Sequence, residues 1–326
     1  MSLQQRQETT LLGALFSMRG HQVSAHELAR LAEIPPAELA VRLAPYLEAG
    51  YPIQFHPQGS LSLLEPPDIW CAEEILGRCP PRENLPAWNP LLLAETASTN
   101  DVAREQGRRG TAAGFVVAAS HQTRGRGRLG RTWESPRNRG LYVSLLLRPD
   151  LAVPEAGQLT ILSSVAMVQA VEEVTGVRPQ IKWPNDLMVA GRKLAGLLIE
   201  TEPEGSRLAF AVVGIGLNVG HAADDFSPDV RGLATSLAMI TGQTPRRADL
   251  LVALLHAFEH RLSRPFAEAR EAWAASSLTL GQQVTLTTIR GQKHGQALGL
   301  DESGALLLRG DSGEVETVTS GDMRAV

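Results

Sequence analysis

The chain has 326 residues, 43% hydrophobic and 20% charged, with 31 Lys and Arg against 35 Asp and Glu for a net charge of −4. This is ordinary composition for a soluble globular protein, and the length calls for two or three domains rather than one core. Two cysteines, Cys71 and Cys79, are too few for a disulfide framework and lack partner ligands for a zinc site, so a reducing cytoplasm is the expected compartment.

Residues 1–65 read as a small helical module. The longest apolar run near the N-terminus, residues 11–18, is too short to span a membrane, and no signal peptide or anchor is read there. Leu11, Leu12, Leu15 and Phe16 mark one face of a first helix. Ser24, with Glu27 three residues on, opens a second, and a turn at Pro35 and Pro36 leads to a third over 37–47. Residues 51–63 suit a two-stranded wing, so the order is that of a winged helix-turn-helix. The helix that would enter a DNA groove offers only Arg42, beside Glu38 and Glu48, and the module carries four Arg and no Lys against six Glu. A DNA reader needs several phosphate contacts, so operator binding and a fold kept for dimerisation or packing stand side by side.

Residues 66–90 hold six prolines around a short helix over 69–76 and read as a linker. From Leu91 the pattern changes to strands. Residues 91–96 form one; Ser98, Thr99 and Asn100 then open a helix whose free N–H groups suit polar ligand atoms, or Ser98 is simply a cap. Strands over 115–120 and 141–147 flank a loop carrying Arg124, Arg126, Arg128 and Arg131 among Gly125, Gly127 and Gly130. The glycine spacing matches a dinucleotide fingerprint, but no apolar helix follows, and no Gly-Lys-Ser/Thr completes a phosphate loop of the other common kind. An arginine-rich nucleic-acid patch is the bland alternative. A glycine loop whose guanidiniums close over a phosphate-bearing ligand fits better.

Apolar residues at 161, 162, 165, 168 and 171 give a helix stopped at Gly176. Lys182 and Lys193 then lie in apolar strands with Pro184-Asn185-Asp186 between them. A strand lysine is usually solvated edge protection; here Ala195 and Gly196 bare the backbone beside Lys193, which points to a buried ammonium paired with an anion. A strand over 208–219 ends in Gly214, Gly216 and Asn218, again bare where a small ligand fits. Short glycine-separated strands fill residues 279–326.

Ser98-Thr-Asn100, Gly125-Arg-Gly-Arg-Leu-Gly-Arg-Thr-Trp133, Lys182-Trp-Pro-Asn-Asp186, Lys193-Leu-Ala-Gly196 and Gly214-Ile-Gly-Leu-Asn218 occur in the order and approximate spacing of the biotin protein ligases. With the N-terminal module, nearly the whole chain resembles their bifunctional ligase/repressor form. The resemblance implies an α+β protein: a winged helix-turn-helix over 1–65, a linker over 66–90, a mixed-sheet α/β catalytic domain over 91–277 and an SH3-like barrel over 278–326. It implies activation of biotin by MgATP as biotinyl-5′-AMP, then transfer to a lysine of a biotin carboxyl carrier protein, such as that of acetyl-CoA carboxylase.

By the same resemblance Ser98, Thr99, Asn100 and Gln122 hold biotin. Gly125, Arg126, Gly127 and Arg128 close over biotin and the adenylate, with Gly196 at the biotin site. Arg128, Lys193 and Asp186 carry the chemistry, Lys193 reaching the carboxylate and phosphate and Asp186 orienting magnesium or the incoming lysine. Arg126, Arg128, Arg131, Trp133 and Asn218 contact the nucleotide. Biotin, ATP and Mg2+ are then the small molecules, no protein-held metal is implied, and a homodimer on operator DNA is the regulatory form. Leu129 departs from the family, whose members often carry a basic residue there. A lipoate-type ligase, or a ligand-sensing DNA-binding regulator without catalysis, are the alternatives; the retained arginines and Lys193 speak against the second.

Overall fold

The computed structural model describes residues 11–289 and 291–325. Helical residues 11–17 (α1) lead into β1 (Val23–Ser24), α2 (Ala25–Leu31), α3 (Leu39–Glu48) and the hairpin β2 (Ile53–Phe55) and β3 (Ser60–Leu63). Ser24 Oγ accepts from the Glu27 amide at 3.1 Å, the cap expected from the sequence, while the Glu27 carboxylate turns to Arg30. Strand β1 was not expected; two residues are too few to show a period, and it exists by pairing with β3. Leu11, Leu12, Leu15, Leu28, Leu43 and Leu61 bury a core of their own.

The next stretch is not a free linker. Helix α4 (Ala72–Arg78) sits there, and Ile75, Cys79 and Trp88 join the main core. Helix α1 crosses α4 so closely that a Cβ at Gly13 would strike Gly77 O. Glu74, fully buried, accepts from Tyr51 Oη (2.9 Å), Arg78 (3.0 Å) and both terminal nitrogens of Arg246 (3.1 and 2.9 Å). Arg246 and Arg247 stand at the start of a long helix, where the dipole is unfavourable for cations, so Glu74, Asp249 and Asp68 supply the compensating charge. Burial works against the charge of Arg246, but its hydrogen bonds to Glu74 and the nearby carboxylates hold its pKa above the usual value.

The main sheet runs β4-β5-β6-β10-β9-β8-β7, comprising β4 (Asn89–Leu93), β5 (Phe115–Ala119), β6 (Gly140–Leu147), β7 (Gln180–Lys182), β8 (Asp186–Val189), β9 (Arg192–Glu204) and β10 (Arg207–Asn218). Only β4 and β5 are parallel, so the sheet is mixed, as expected. Helix α5 (Thr99–Arg108) covers one face. On the other lie α6 (Gly157–Thr175), which comes after β6, and α9 (Arg247–Leu262) and α10 (Phe266–Ala275), which follow β10 through the short α7 (Pro228–Arg231) and α8 (Leu237–Thr241). Gly176 ends α6 at φ 70°, its amide bonded to Glu172 O. Helices α7 to α10 are additions to the elements expected from the sequence.

Strand alternation assigns the faces. On β10, Ala211, Val213, Ile215 and Leu217 point into the large core, while Phe210 and Val212 pack with Ala103 of α5. Continuing along that second face come Gly214, Gly216 and Asn218, and there the apolar layer stops. The chain closes with β11 (Gln283–Thr288), β12 (Gly291–Leu300), β13 (Leu306–Arg309), β14 (Val315–Val318) and β15 (Asp322–Ala325), an antiparallel sheet of order β14-β13-β12-β11-β15. Its buried residues, Val284, Leu286, Leu306 and Met323 among them, belong to one core with those of the large sheet. No helix among the described residues is long and apolar enough to cross a membrane.

Glu74→Ala leaves Arg246 buried without its main partner and is expected to lower unfolding stability by about 3–5 kcal/mol. Denaturant unfolding of the full chain measures this, and a loss below about 1 kcal/mol overturns the account.

Candidate active site

Where β10 loses its side chains a cavity of about 600 Å3 opens, a volume suited to a small organic ligand. Its floor is Gly214 and Gly216 of β10 with Gly196 of β9, Gly216 and Gly196 being paired across the strands. A Cβ at Gly214 would collide with the Asn100 carboxamide, and one at Gly216 with the Trp133 indole. The glycines are needed for side chains of this protein: the backbone expected to be bare for a ligand is already covered by Trp133 at Gly216.

One end is built by the start of α5. Thr99 donates to Gln122 Oε1 from its amide (2.9 Å) and hydroxyl (3.1 Å), and Gln122 Nε2 donates to Ser135 Oγ (3.0 Å). Asn100 donates to Glu200 (2.6 Å), and its Oδ1 accepts from the fully buried Ser144 (2.6 Å). Ser98 occupies the cap position without a capping hydrogen bond, so the simple cap reading fails and its buried hydroxyl lines the cavity. Polar groups pinned this way can hold a ring of fixed hydrogen-bonding pattern.

The arginine loop is a tight hairpin. Arg126 bridges Thr132, the Gly127 amide bonds to Arg131 O at 2.7 Å, and the tip turns at Leu129 (φ 56°) and Gly130 (φ 74°). Arg126 is bonded to Asp101 at 2.9 and 2.7 Å, Arg128 reaches Asn185 Oδ1 (3.2 Å) and Gly321 O (3.3 Å), and Arg131 pairs with Asp322. Burial lowers the Arg128 pKa, against the pull of Asp322 and Asp186, so an anion here would recover part of the lost solvation. Lys193 is held by backbone bonds to Leu233 O (2.7 Å) and from Thr235 (2.9 Å). Its ammonium lies 2.6 Å from Asp186 and 5.5 Å from the Trp133 ring centre; it is paired, but with a carboxylate of the chain, and the side chain is 35% exposed where the sequence suggested a buried ammonium.

The far end is apolar, with Phe226, Val230, Leu233 and Ala234 around Asn218, whose Nδ2 donates to Thr235 O at 3.0 Å. Buried His221 stacks on Phe226 at 4.9 Å, and burial pushes its pKa down to about 4, so it is neutral near pH 7. Among the described residues no group of three or more His, Cys, Asp or Glu side chains is placed to hold a metal ion.

Thus Ser98, Thr99, Asn100, Gln122, Arg126, Gly127, Arg128, Arg131, Trp133, Asp186, Lys193, Gly196 and Asn218 all line one cavity. Gly125 does not. It lines a neighbouring cleft, pressed against Trp133 O and Ser135 Oγ. The sequence reading missed Phe226 to Ala234, where Ser227-Pro228 was a usable helix-start signal, and the wall formed by Asp322 and Met323, which carried none.

A family model described as the biotin/lipoate A/B protein ligase family matches residues 92–218, and one described as the biotin protein ligase C terminal domain matches 279–323. The bifunctional ligase/repressor BirA of Bacillus subtilis is 36% identical over 231 residues, 70% of this chain and 71% of that protein. The biotin--[acetyl-CoA-carboxylase] ligase of Paracoccus denitrificans is 35% identical over 231 residues, 68% of this chain and 95% of that protein. Biotin protein ligase from Aquifex aeolicus, solved in complex with biotin and ATP, superposes with a TM-score of 0.62 at 30% identity, covering 73% of this chain and 99% of that one. The glycine floor, the Ser98–Asn100 end and the arginine loop lie within the first matched segment and the Asp322 wall within the second, and on these matches the chain belongs to the biotin protein ligase family.

Proposed function

We propose that this protein is an ATP-dependent biotin ligase that forms biotinyl-5′-AMP and transfers the biotinyl group to a lysine of a biotin carboxyl carrier protein, such as that of acetyl-CoA carboxylase. The observation that carries the reading is one cavity with a pinned hydrogen-bonding end, cations at its middle and an apolar far end. Biotin's ureido ring suits Ser98, Thr99, Asn100 and Gln122, and adenine suits Asn218 and Phe226. The relatives named for the same reaction support it.

In the first step the biotin carboxylate attacks the α-phosphorus of MgATP. A C–O–P linkage forms and the bond to pyrophosphate breaks, pyrophosphate leaving with the electron pair. Two anions must approach, so the cost is electrostatic, and fixed cations that need no reorganisation lower it. Lys193, Arg128 and Arg131 all line the cavity, and the meeting of carboxylate and phosphate is assigned to the first two on their charge. Magnesium belongs to the substrate here, arriving on the ATP phosphates with water completing its shell. In the second step the acceptor amine attacks the acyl carbon and AMP leaves. Asp186, beside Lys193, is placed to orient the metal or the amine. The free thiols of Cys71 and Cys79 suit a reducing cytoplasm.

For the N-terminal unit a biotin-responsive repressor role, as in the ligase/repressor relatives, and a unit kept for packing or dimerisation are the two readings, and the scarcity of basic residues on α3 is what argues for the second. Arg42, the only base on α3, is hydrogen-bonded to Glu38 at 3.1 Å. A homodimer on DNA, as in a ligase/repressor, would need phosphate contacts from elsewhere.

Pyrophosphate exchange into ATP is expected to depend on biotin. Exchange with lipoate alone would move the protein to the lipoate ligases, and biotin binding without exchange would make it a sensor. Gly214→Ala, by displacing the Asn100 carboxamide, is expected to raise the biotin KM about 10- to 100-fold, the worth of one or two directed hydrogen bonds, with little change in the ATP KM. Equal loss for both substrates would contradict that assignment. Against DNA upstream of biotin-synthesis genes, anisotropy across a salt series should find only weak binding; nanomolar specific binding would restore the repressor role.

A further inference from the structure

The arginines of the loop do not all face the cavity with charge to spare. Arg126 grips both oxygens of Asp101, at 2.9 and 2.7 Å, and lies 3.4 Å from Glu200. Arg104 approaches the same two carboxylates, at 3.4 Å from Asp101 and 3.6 Å from Glu200. Two guanidiniums therefore face two carboxylates, and the group is neutral. A phosphate brought to Arg126 would meet Asp101 and Glu200 as well, so the guanidinium has no net attraction to offer it. Its backbone, by contrast, is the base of the hairpin, where residue 126 bridges Thr132.

Glu200 has a second partner. It accepts from Asn100 Nδ2 at 2.6 Å, which fixes which end of that carboxamide is the donor and leaves Oδ1 against Ser144. One carboxylate thus joins the hairpin base to the residue that closes the cavity's polar end. Asp101, the residue after Asn100 and in the first turn of α5, completes the connection from the helix side.

We infer that Asp101 and Glu200 are positioning residues that clasp Arg126, pinning the base of the arginine loop to α5 and β9, with Glu200 fixing the Asn100 carboxamide in the same contact. Arg126 is then a fastening, and among the loop arginines that line the cavity the charge left for phosphate is that of Arg128, whose partners are neutral oxygens. The catalytic consequence rests on the ligase reading above; the mechanical one does not.

The test uses the full chain and the variants Asp101→Ala, Glu200→Gln and Arg126→Gln. Hydrogen–deuterium exchange of the ligand-free protein should speed about fivefold for amides of residues 125–132 in Asp101→Ala, the scale of one well-formed exposed ion pair, with peptides from β6 and β10 unchanged. Faster exchange throughout would mark a folding defect, and unchanged exchange in the loop would remove the clasp; either result overturns the inference. With biotin and MgATP, both Asp101→Ala and Glu200→Gln should release biotinyl-5′-AMP faster, but only Glu200→Gln should raise the biotin KM. The double variant Asp101→Ala with Arg126→Gln should be no worse than either single. A lower ATP KM in Asp101→Ala would mean that the freed guanidinium binds phosphate, and would refute the assignment. If the wild-type protein forms no adenylate, the ligase reading fails, and the exchange data alone still decide the clasp.

Discussion

At Gly214 and Gly216 the central strand gives up its side chains while its other face stays packed with Val213, Ile215 and Leu217. The Asn100 carboxamide and the Trp133 indole then come directly against backbone. A strand can do this in the middle of a sheet only because its hydrogen bonds run to both neighbours and the opposite face is anchored in the large core. The cavity is thus a gap in one apolar layer of an otherwise well-filled structure, with its polar end, its cations and its apolar end all arranged along three residues of β10.

The second constraint is electrostatic. A site for two anions must concentrate positive charge, and a protein that holds such charge without ligand must screen it. Here the screening is specific: Asp186 for Lys193, Asp322 for Arg131, Asp101 and Glu200 for Arg126. Arg128 is the exception, since its hydrogen-bond partners are neutral oxygens and burial lowers its pKa. Of the loop arginines that line the cavity, the least compensated is therefore the one with most to gain from an anion.

Much of this was legible in the sequence, because the motifs are local. Ser98-Thr-Asn100, the arginine loop and Lys193 each sit on one short segment, and folding brings them together without altering what each segment says. The N-terminal cap at Ser24 and the stop at Gly176 followed from capping residues next to a helical period, whereas the mixed sheet was implied only by the family resemblance. Helix α9 was not among the expected elements, although Leu250, Leu251, Leu254, Leu255 and Phe258 repeat at helical spacing. What could not be read was pairing between distant residues. Nothing local distinguishes Asp322 as the partner of Arg131, Glu200 as that of Asn100, or Glu74 as the acceptor for Tyr51 and Arg246. Trp133 lying on Gly216 is likewise a property of the folded hairpin, and the sequence shows only that both residues exist.

The cavity wall joins Ser98 to Met323, and β15 reaches it by pairing with β11. During synthesis, then, the α/β sheet and every motif residue from 98 to 218 emerge before the residues that close the site. A nascent chain can fold its sheet yet still present an open trough, with Arg131 lacking its carboxylate partner and Arg128 its carbonyl. Docking of β15 thus supplies the last partners of Arg128 and Arg131, and its loss would leave both without them while every motif residue from 98 to 218 stayed in place.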